Sequence, residues 1–88
     1  MSSISLSSAQ IRAARALLRW NAEELARQSL LSVATIRRAE LTEDETSLTA
    51  ANDLAVRRAL EAAGIEFINE NGGGPGVRLR KRTHGPPE

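Results

Sequence analysis

Two short helical patterns separated by a tight turn limit the possible folds of this chain more than any other feature of its sequence. Asn21 precedes the first pattern and suits a helix N-cap, and Glu24 three residues later completes an arrangement like a capping box. Ser32 stands in the same position before the second pattern. The apolar residues that we expect to face inward are Leu25, Ala26, Ile36 and Ala39. The spacing predicts one helix over about 22–28 and another over 33–40.

Longer helical patterns flank this pair. Ser7 or Ser8 can cap a helix over about 8–18. Its predicted buried face consists of Ile11, Ala14, Leu17 and Leu18. A fourth helix, rich in alanine and leucine, is predicted over about 48–63, with Gly64 as its left-handed stop.

The apolar period changes from helix to strand after Gly64. Residues 65–68 read as one strand, and residues 77–80 alternate apolar and basic side chains, as a strand with one buried face does. The glycine-rich segment 71–76 is typical of a turn. Because an isolated hairpin is marginal in water, we expect this one to lie on the helices or to pair with a second subunit.

Composition limits the possible classes of protein. The chain has 88 residues, 41% of them hydrophobic and 26% charged, which predicts one globular domain. The absence of cysteine excludes a disulfide scaffold and cysteine-based zinc sites. Only 2% of the residues are aromatic, too few for a stacking platform that binds single-stranded nucleic acid.

The sequence also predicts neither an enzyme nor a membrane protein. No acid–base pair, nucleophile or metal cluster is evident, and the single histidine, His84, follows the last strand. We therefore expect no cofactor and no small-molecule ligand. No apolar run approaches a membrane span and no secretory signal is evident, so the expected location is the cytoplasm.

Charge is segregated along the chain. Residues 1–40 carry six arginines against three glutamates, and residues 41–70 carry seven acidic residues against two arginines. Residues 71–88 are again basic, with four cationic side chains against one glutamate. This pattern suits a protein that meets phosphate with one surface and another partner with a second, although a charge-mixed solvated surface explains it too.

A family resemblance adds to this interpretation. The segments from Trp20 to Ala26 and from Leu31 to Glu40 resemble the Cro/repressor-type (Xre-like) helix-turn-helix family. Arg15, the segment 60–68 and the segment 71–79 look like a bacterial subgroup of small single-domain regulators. The resemblance implies a mainly α fold: a four- to five-helix lambda-repressor-like helix-turn-helix domain with a C-terminal β-hairpin.

This fold implies a simple organisation of the chain. The expected parts are a flexible N-terminus over 1–7, a helix-turn-helix domain over 8–64, the hairpin over 65–80 and a disordered basic tail over 81–88.

The resemblance also assigns roles to particular residues. It implies a structural ion pair between Arg15 and Glu40, and DNA contacts from the predicted helix 33–40. The expected DNA-binding residues are Val33, Ala34 and Arg38 for the bases, Thr35 and Arg37 beside them, and Asn21 and Ser32 for phosphates. Arginine can donate two hydrogen bonds to guanine, and small apolar side chains can pack on a thymine methyl.

Three positions depart from the family pattern. The family has a phosphate-clamping glutamine where Ala22 stands and a glycine with positive φ where Leu30 stands. It has a polar residue where Val33 stands. A leucine in that turn costs about 1 kcal/mol or more, or imposes a different turn.

Two functions follow. The first is a cytoplasmic transcriptional regulator that reads double-stranded DNA as a homodimer, as a repressor or autoregulator. Its expected dimer interface includes Phe67, Ile68, Val77 and Leu79, although a monomer with the hairpin packed on its own helices stays open. The alternative is a protein-binding module, an antiactivator or adaptor that holds a partner regulator and no longer reads DNA. The acidic segment 43–45 is then a candidate partner surface.

Overall fold

The computed structural model describes residues 5–42 and 48–80 of the chain. Within them it forms a mainly helical domain with four helices and one antiparallel hairpin, as predicted. The elements are α1 (Ser8–Leu18), α2 (Ala22–Ser29), α3 (Val33–Glu40), α4 (Ala50–Ala62), β1 (Ile65–Ile68) and β2 (Gly76–Leu79). The predicted acidic segment 43–45 and the predicted basic tail 81–88 lie outside the described residues.

A hydroxyl or amide side chain begins each helix. In every case the side-chain oxygen of the cap accepts a hydrogen bond from the backbone N–H three residues further on. The four caps are Ser7, Asn21, Ser32 and Thr49. Ser7 forms a full capping box with Gln10, with both hydrogen bonds at 3.0 Å. These caps explain why α1, α2 and α3 begin where the sequence predicts.

Two sequence expectations about the caps are wrong. Asn21 accepts from the Glu24 N–H at 2.8 Å, but the Glu24 carboxylate accepts from Arg27 and Gln28 instead of returning to Asn21. The expected reciprocal arrangement is therefore only half formed. Because Thr49 is the cap, α4 begins two residues later than predicted.

The core lies between the four helices and the inner face of the hairpin. Its buried apolar residues are Leu6, Ile11, Ala14, Ala22, Leu25, Ala26, Ile36, Ala39, Val56, Leu60 and Ile65. Leu17 was predicted to lie on the buried face of α1, and this is wrong because Leu17 is 42% exposed. At about 100° per residue, Leu18 returns to the Ile11 face after seven residues, whereas Leu17 lies about 120° away from it.

The start of the described chain is part of the fold. Leu6 is only 1% exposed, and its N–H donates to Asp53 Oδ1 at 3.0 Å. Both groups are buried, so this contact fastens the N-terminal segment to α4. The expected flexible segment over 1–7 stays a prediction, although within it Leu6 supplies core surface that a chain of this size needs.

The hairpin packs against its own helices. β1 pairs with β2 so that Phe67 faces Val77 and Ile65 faces Leu79. Phe67 and Val77 pack on the core, and Gln10 Nε2 of α1 donates to the Gly76 carbonyl at 3.1 Å. Leu79 lies on the same face as Ile65 and Val77 but is 49% exposed, so the predicted buried face of β2 is only partly covered.

No helix in the described ranges combines the length and the apolar character needed to cross a bilayer.

Candidate nucleic-acid interface

α3 presents one buried and one exposed face. Ile36 and Ala39 are fully buried, and both lie in the core cluster. The opposite side carries the exposed residues Ala34, Arg37 and Arg38. The predicted amphipathic arrangement of this helix is confirmed, with both arginines outside the apolar stripe.

Arg15 and Glu40 form the predicted ion pair, and it is partly buried. Arg15 Nε donates to Glu40 Oε2 at 2.7 Å, and Arg15 Nη2 donates to Oε1 at 2.8 Å. The side chains are only 22% and 9% exposed. The hydrogen bond to Glu40 is the main cause that raises the pKa of Arg15. Because Arg15 Nη1 also donates to the Trp20 carbonyl at 2.9 Å, one guanidinium joins α1, the start of α2 and the end of α3.

Two further side chains of α1 hold the end of α3. Ser8 Oγ donates to the Ala39 carbonyl at 2.5 Å, and Arg12 Nη1 donates to the Glu40 carbonyl at 2.6 Å. These carbonyls lie in the last turn of α3, where the helix dipole favours a positive charge. Sequence reasoning missed both contacts. Their spacing with Arg15 on one side of α1 was the available signal, but it shows nothing of the partner helix.

The turn before α3 contains a leucine in a strained conformation. Leu30 has φ +63°, so the turn keeps the left-handed conformation although leucine stands where we expected glycine. The Leu31 N–H donates to the Ala26 carbonyl at 3.0 Å and closes α2. The Leu30 side chain is 90% exposed, so it gains nothing from packing. The turn geometry therefore holds although the residue disfavours it.

The two arginines of α3 differ in their contacts. Arg37 Nη2 pairs with Glu23 Oε2 of α2, and both side chains are more than half exposed. The Arg38 side chain forms neither a hydrogen bond nor an ion pair with any of the described residues. It is thus the cationic group on this face that is available to an added partner.

The helix N-termini also differ in charge. The first turn of α2 holds Glu23 and Glu24, whereas the first turn of α3 holds no acidic residue. The pKa of Glu24 is lowered, first by the hydrogen bond from Gln28 and then by Arg27, so this carboxylate stays charged. A helix N-terminus favours an anion, but two carboxylates at α2 oppose one. Of the two predicted phosphate sites, the one at Ser32 is electrostatically open and the one at Asn21 is not.

Several other positions to which the sequence gives a role at DNA make contacts within the chain itself. Val33 is half-buried and packs against the core, which leaves only part of its side chain to meet a base. The Thr35 hydroxyl hydrogen-bonds the Ser32 hydroxyl at 2.9 Å. Ala22, which stands where the resemblance leads us to expect a phosphate-clamping glutamine, is 8% exposed and lies in the core.

The four residues predicted for a dimer interface divide into two pairs. Phe67 and Val77 pack on the core of the same chain, and the Arg57 guanidinium lies 5.1 Å from the centre of the Phe67 ring. Ile68 is half-buried on the opposite face of the hairpin, and Leu79 is exposed.

No cluster of three potential metal ligands occurs in residues 5–42 and 48–80. Comparison with known proteins gives no family model that matches the chain and no curated protein with significant sequence similarity.

Proposed function

We propose that this protein is a sequence-specific regulator of transcription that inserts α3 into the major groove of double-stranded DNA. The observation that carries the proposal is the exposed face of α3 with Arg38 free to donate, on a helix fixed to the body. An 8-residue helix of this width fits the major groove.

Anchoring of α3 supports a role in reading bases. Specific recognition requires side chains held in position by a rigid scaffold. Here Ser8, Arg12 and Arg15 hold the C-terminal end of α3, and Ile36 fixes its inner face. The exposed side chains of α3 therefore have a defined direction before any partner arrives.

Each exposed residue has a suitable contact in this proposal. Arg38 donates to guanine O6 and N7, and Ala34 packs on a thymine methyl. The N-terminus of α3 at Ser32, with no acid in its first turn, receives a phosphate. The resemblance of residues 20–40 to the Cro/repressor-type helix-turn-helix family supports the same assignment.

We further propose a homodimer built on α4 and the hairpin. Leu54 and Leu79 offer exposed apolar surface for it, since Leu54 is 43% exposed and Leu79 is 49% exposed, and Ile68 is half-buried on the other face of the hairpin. A twofold axis would place two α3 helices about 34 Å apart, one turn of DNA. Sedimentation equilibrium of the full chain and of Leu54→Ser/Leu79→Ser tests this, with a shift from dimer to monomer expected.

Binding by an arginine variant and its matched control tests the function. A duplex is selected by the full-length protein from a random library, and binding is followed by fluorescence anisotropy at fixed salt. Arg38→Ala should lose about 1–3 kcal/mol of binding free energy, whereas Arg58→Ala should lose much less. Arg58 is the control because it is an exposed arginine on α4, away from α3. Equal losses in the two variants would contradict the proposal.

One observation favours the alternative, a protein-binding module that holds a partner regulator. Two large apolar side chains flank α3 and are almost fully in solvent: Leu30 is 90% exposed and Leu41 is 81% exposed. Exposed leucines at both ends of one helix suit a protein surface better than a phosphate backbone. If the chain binds no duplex, and Leu30→Ser/Leu41→Ser releases a co-purifying regulator, this second function is the correct one.

A further inference from the structure

The candidate interface contains an acidic group that faces its own arginine. Glu23 lies in the first turn of α2, and its Oε2 pairs with Arg37 Nη2 of α3, fourteen residues later. Their side chains are 55% and 59% exposed. The pair therefore spans the two helices at the surface, beside the free Arg38.

Such a pair opens readily. An ion pair between exposed side chains contributes little net stability, because water screens the attraction and two side chains lose freedom. A phosphate oxygen is as good an acceptor for a guanidinium as a carboxylate oxygen is. Arg37 can thus exchange Glu23 for a phosphate at small cost, and nothing buried has to move.

We infer that Glu23 competes internally with the DNA backbone for Arg37. In the free protein the carboxylate occupies the guanidinium, and in the complex a duplex phosphate replaces it. This inference rests on the proposed function and adds a residue that limits how tightly the protein binds DNA. Glu23 lowers the affinity for every duplex, and it makes that affinity less dependent on the salt concentration. The exchange leaves an unpaired carboxylate, which takes up a cation and offsets one of the cations released from DNA.

The experiment uses full-length protein and a labelled duplex of mixed sequence, about 30 base pairs or three helical turns long. Binding is measured by fluorescence anisotropy between about 50 and 200 mM salt. The variants are Glu23→Gln, Glu23→Gln/Arg37→Ala and the control Glu61→Gln. Glu61 is a suitable control because it is a half-exposed glutamate in a surface pair with Arg57 on α4, so its change alters the net charge equally.

Glu23→Gln should bind roughly threefold to tenfold more tightly at the lower salt concentration, with a log–log salt slope steeper by about 0.9. The double variant should lose this gain, and Glu61→Gln should show less than half of it. Equal behaviour of Glu23→Gln and Glu61→Gln would overturn the inference, as would a gain that persists without Arg37.

Failure of the proposed function gives a different result. If the wild-type protein binds duplexes and Arg38→Ala weakens that binding, the function stands, and an unchanged Glu23→Gln contradicts only the competition. If no duplex binds to any of these proteins, the function and the competition are both wrong.

Discussion

Arg15 and Glu40 meet edge to edge, with two parallel hydrogen bonds of 2.7 and 2.8 Å between α1 and the last residue of α3. The pair is partly buried, and it fixes the end of the helix whose outer face is the candidate interface. Its Glu40 side chain is 9% exposed, so either partner would be left as a poorly solvated charge if the other were removed.

Removal of this pair should destabilise the protein strongly. Arg15→Ala is expected to lower the free energy of unfolding by about 3 kcal/mol, near the lower end for a broken buried pair because Arg15 keeps some contact with water. The exposed pair of Glu23 and Arg37 is the control, and Glu23→Ala should cost about 1 kcal/mol or less. Urea unfolding followed by circular dichroism measures both. A loss under 1 kcal/mol for Arg15→Ala would contradict the clamping role.

Relief of strain in the turn should stabilise the protein. Leu30 has φ +63° and almost no packing, so Leu30→Gly removes the left-handed penalty and loses no buried contact. After the greater entropy of glycine in the unfolded chain is subtracted, the expected gain is up to about 1 kcal/mol. Leu30→Ala, which keeps the β-carbon, should show no comparable gain in thermal unfolding. A destabilised Leu30→Gly would mean that the leucine side chain packs on something.

Truncation of Leu6 should be as costly as truncation of a central core residue. Leu6 is 1% exposed, so Leu6→Ala is expected to cost about 2–5 kcal/mol. Leu79→Ala, at a half-exposed site, should cost clearly less. Chemical denaturation of the two variants separates them. Equal small losses in the two variants would contradict a role of Leu6 in the core and would support the expected flexible N-terminus.

The hairpin should weaken in acid through its cross-strand pair. Arg78 donates to both carboxylate oxygens of Glu66, at 3.0 and 3.2 Å, and this lowers the pKa of Glu66 from its ordinary 4.5. Because the folded pKa lies below the unfolded one, the contribution is complete above the unfolded value and is lost as the pH falls through the folded value.

Thermal unfolding from about pH 6 to about pH 2 tests this dependence. Glu66→Gln should show a smaller fall in Tm below pH 4.5 than the wild type, and Arg78→Ala should resemble it. If Tm falls equally in acid for all three proteins, the pair is not the cause of the acid weakening.

Local signals account for the parts of the fold that could be predicted from the sequence. Ser7, Asn21 and Ser32 each satisfy backbone N–H groups within three residues, so the starts of three helices are readable without a tertiary structure. The Arg15–Glu40 pair was expected through the family resemblance, because a separation of 25 residues gives no local signal.

The remaining features depend on how the helices are placed. Leu6 lies in the core with its N–H bonded to Asp53 of α4, and the contact of Glu23 with Arg37 depends on how α2 and α3 are placed. The same holds for Val33, whose position at the start of α3 suggested an exposed residue but which packs against the core. Periodicity describes the face of one helix, and it does not show what covers that face.

An NMR titration with DNA shows whether the outer face of α3 meets DNA bases. Backbone amide shifts of the full-length protein are followed as a selected duplex is added. We expect the largest changes at Ala34, Arg37 and Arg38, with small changes at Leu79 and along the hairpin. Changes concentrated on the hairpin, or none at saturating duplex, would contradict it.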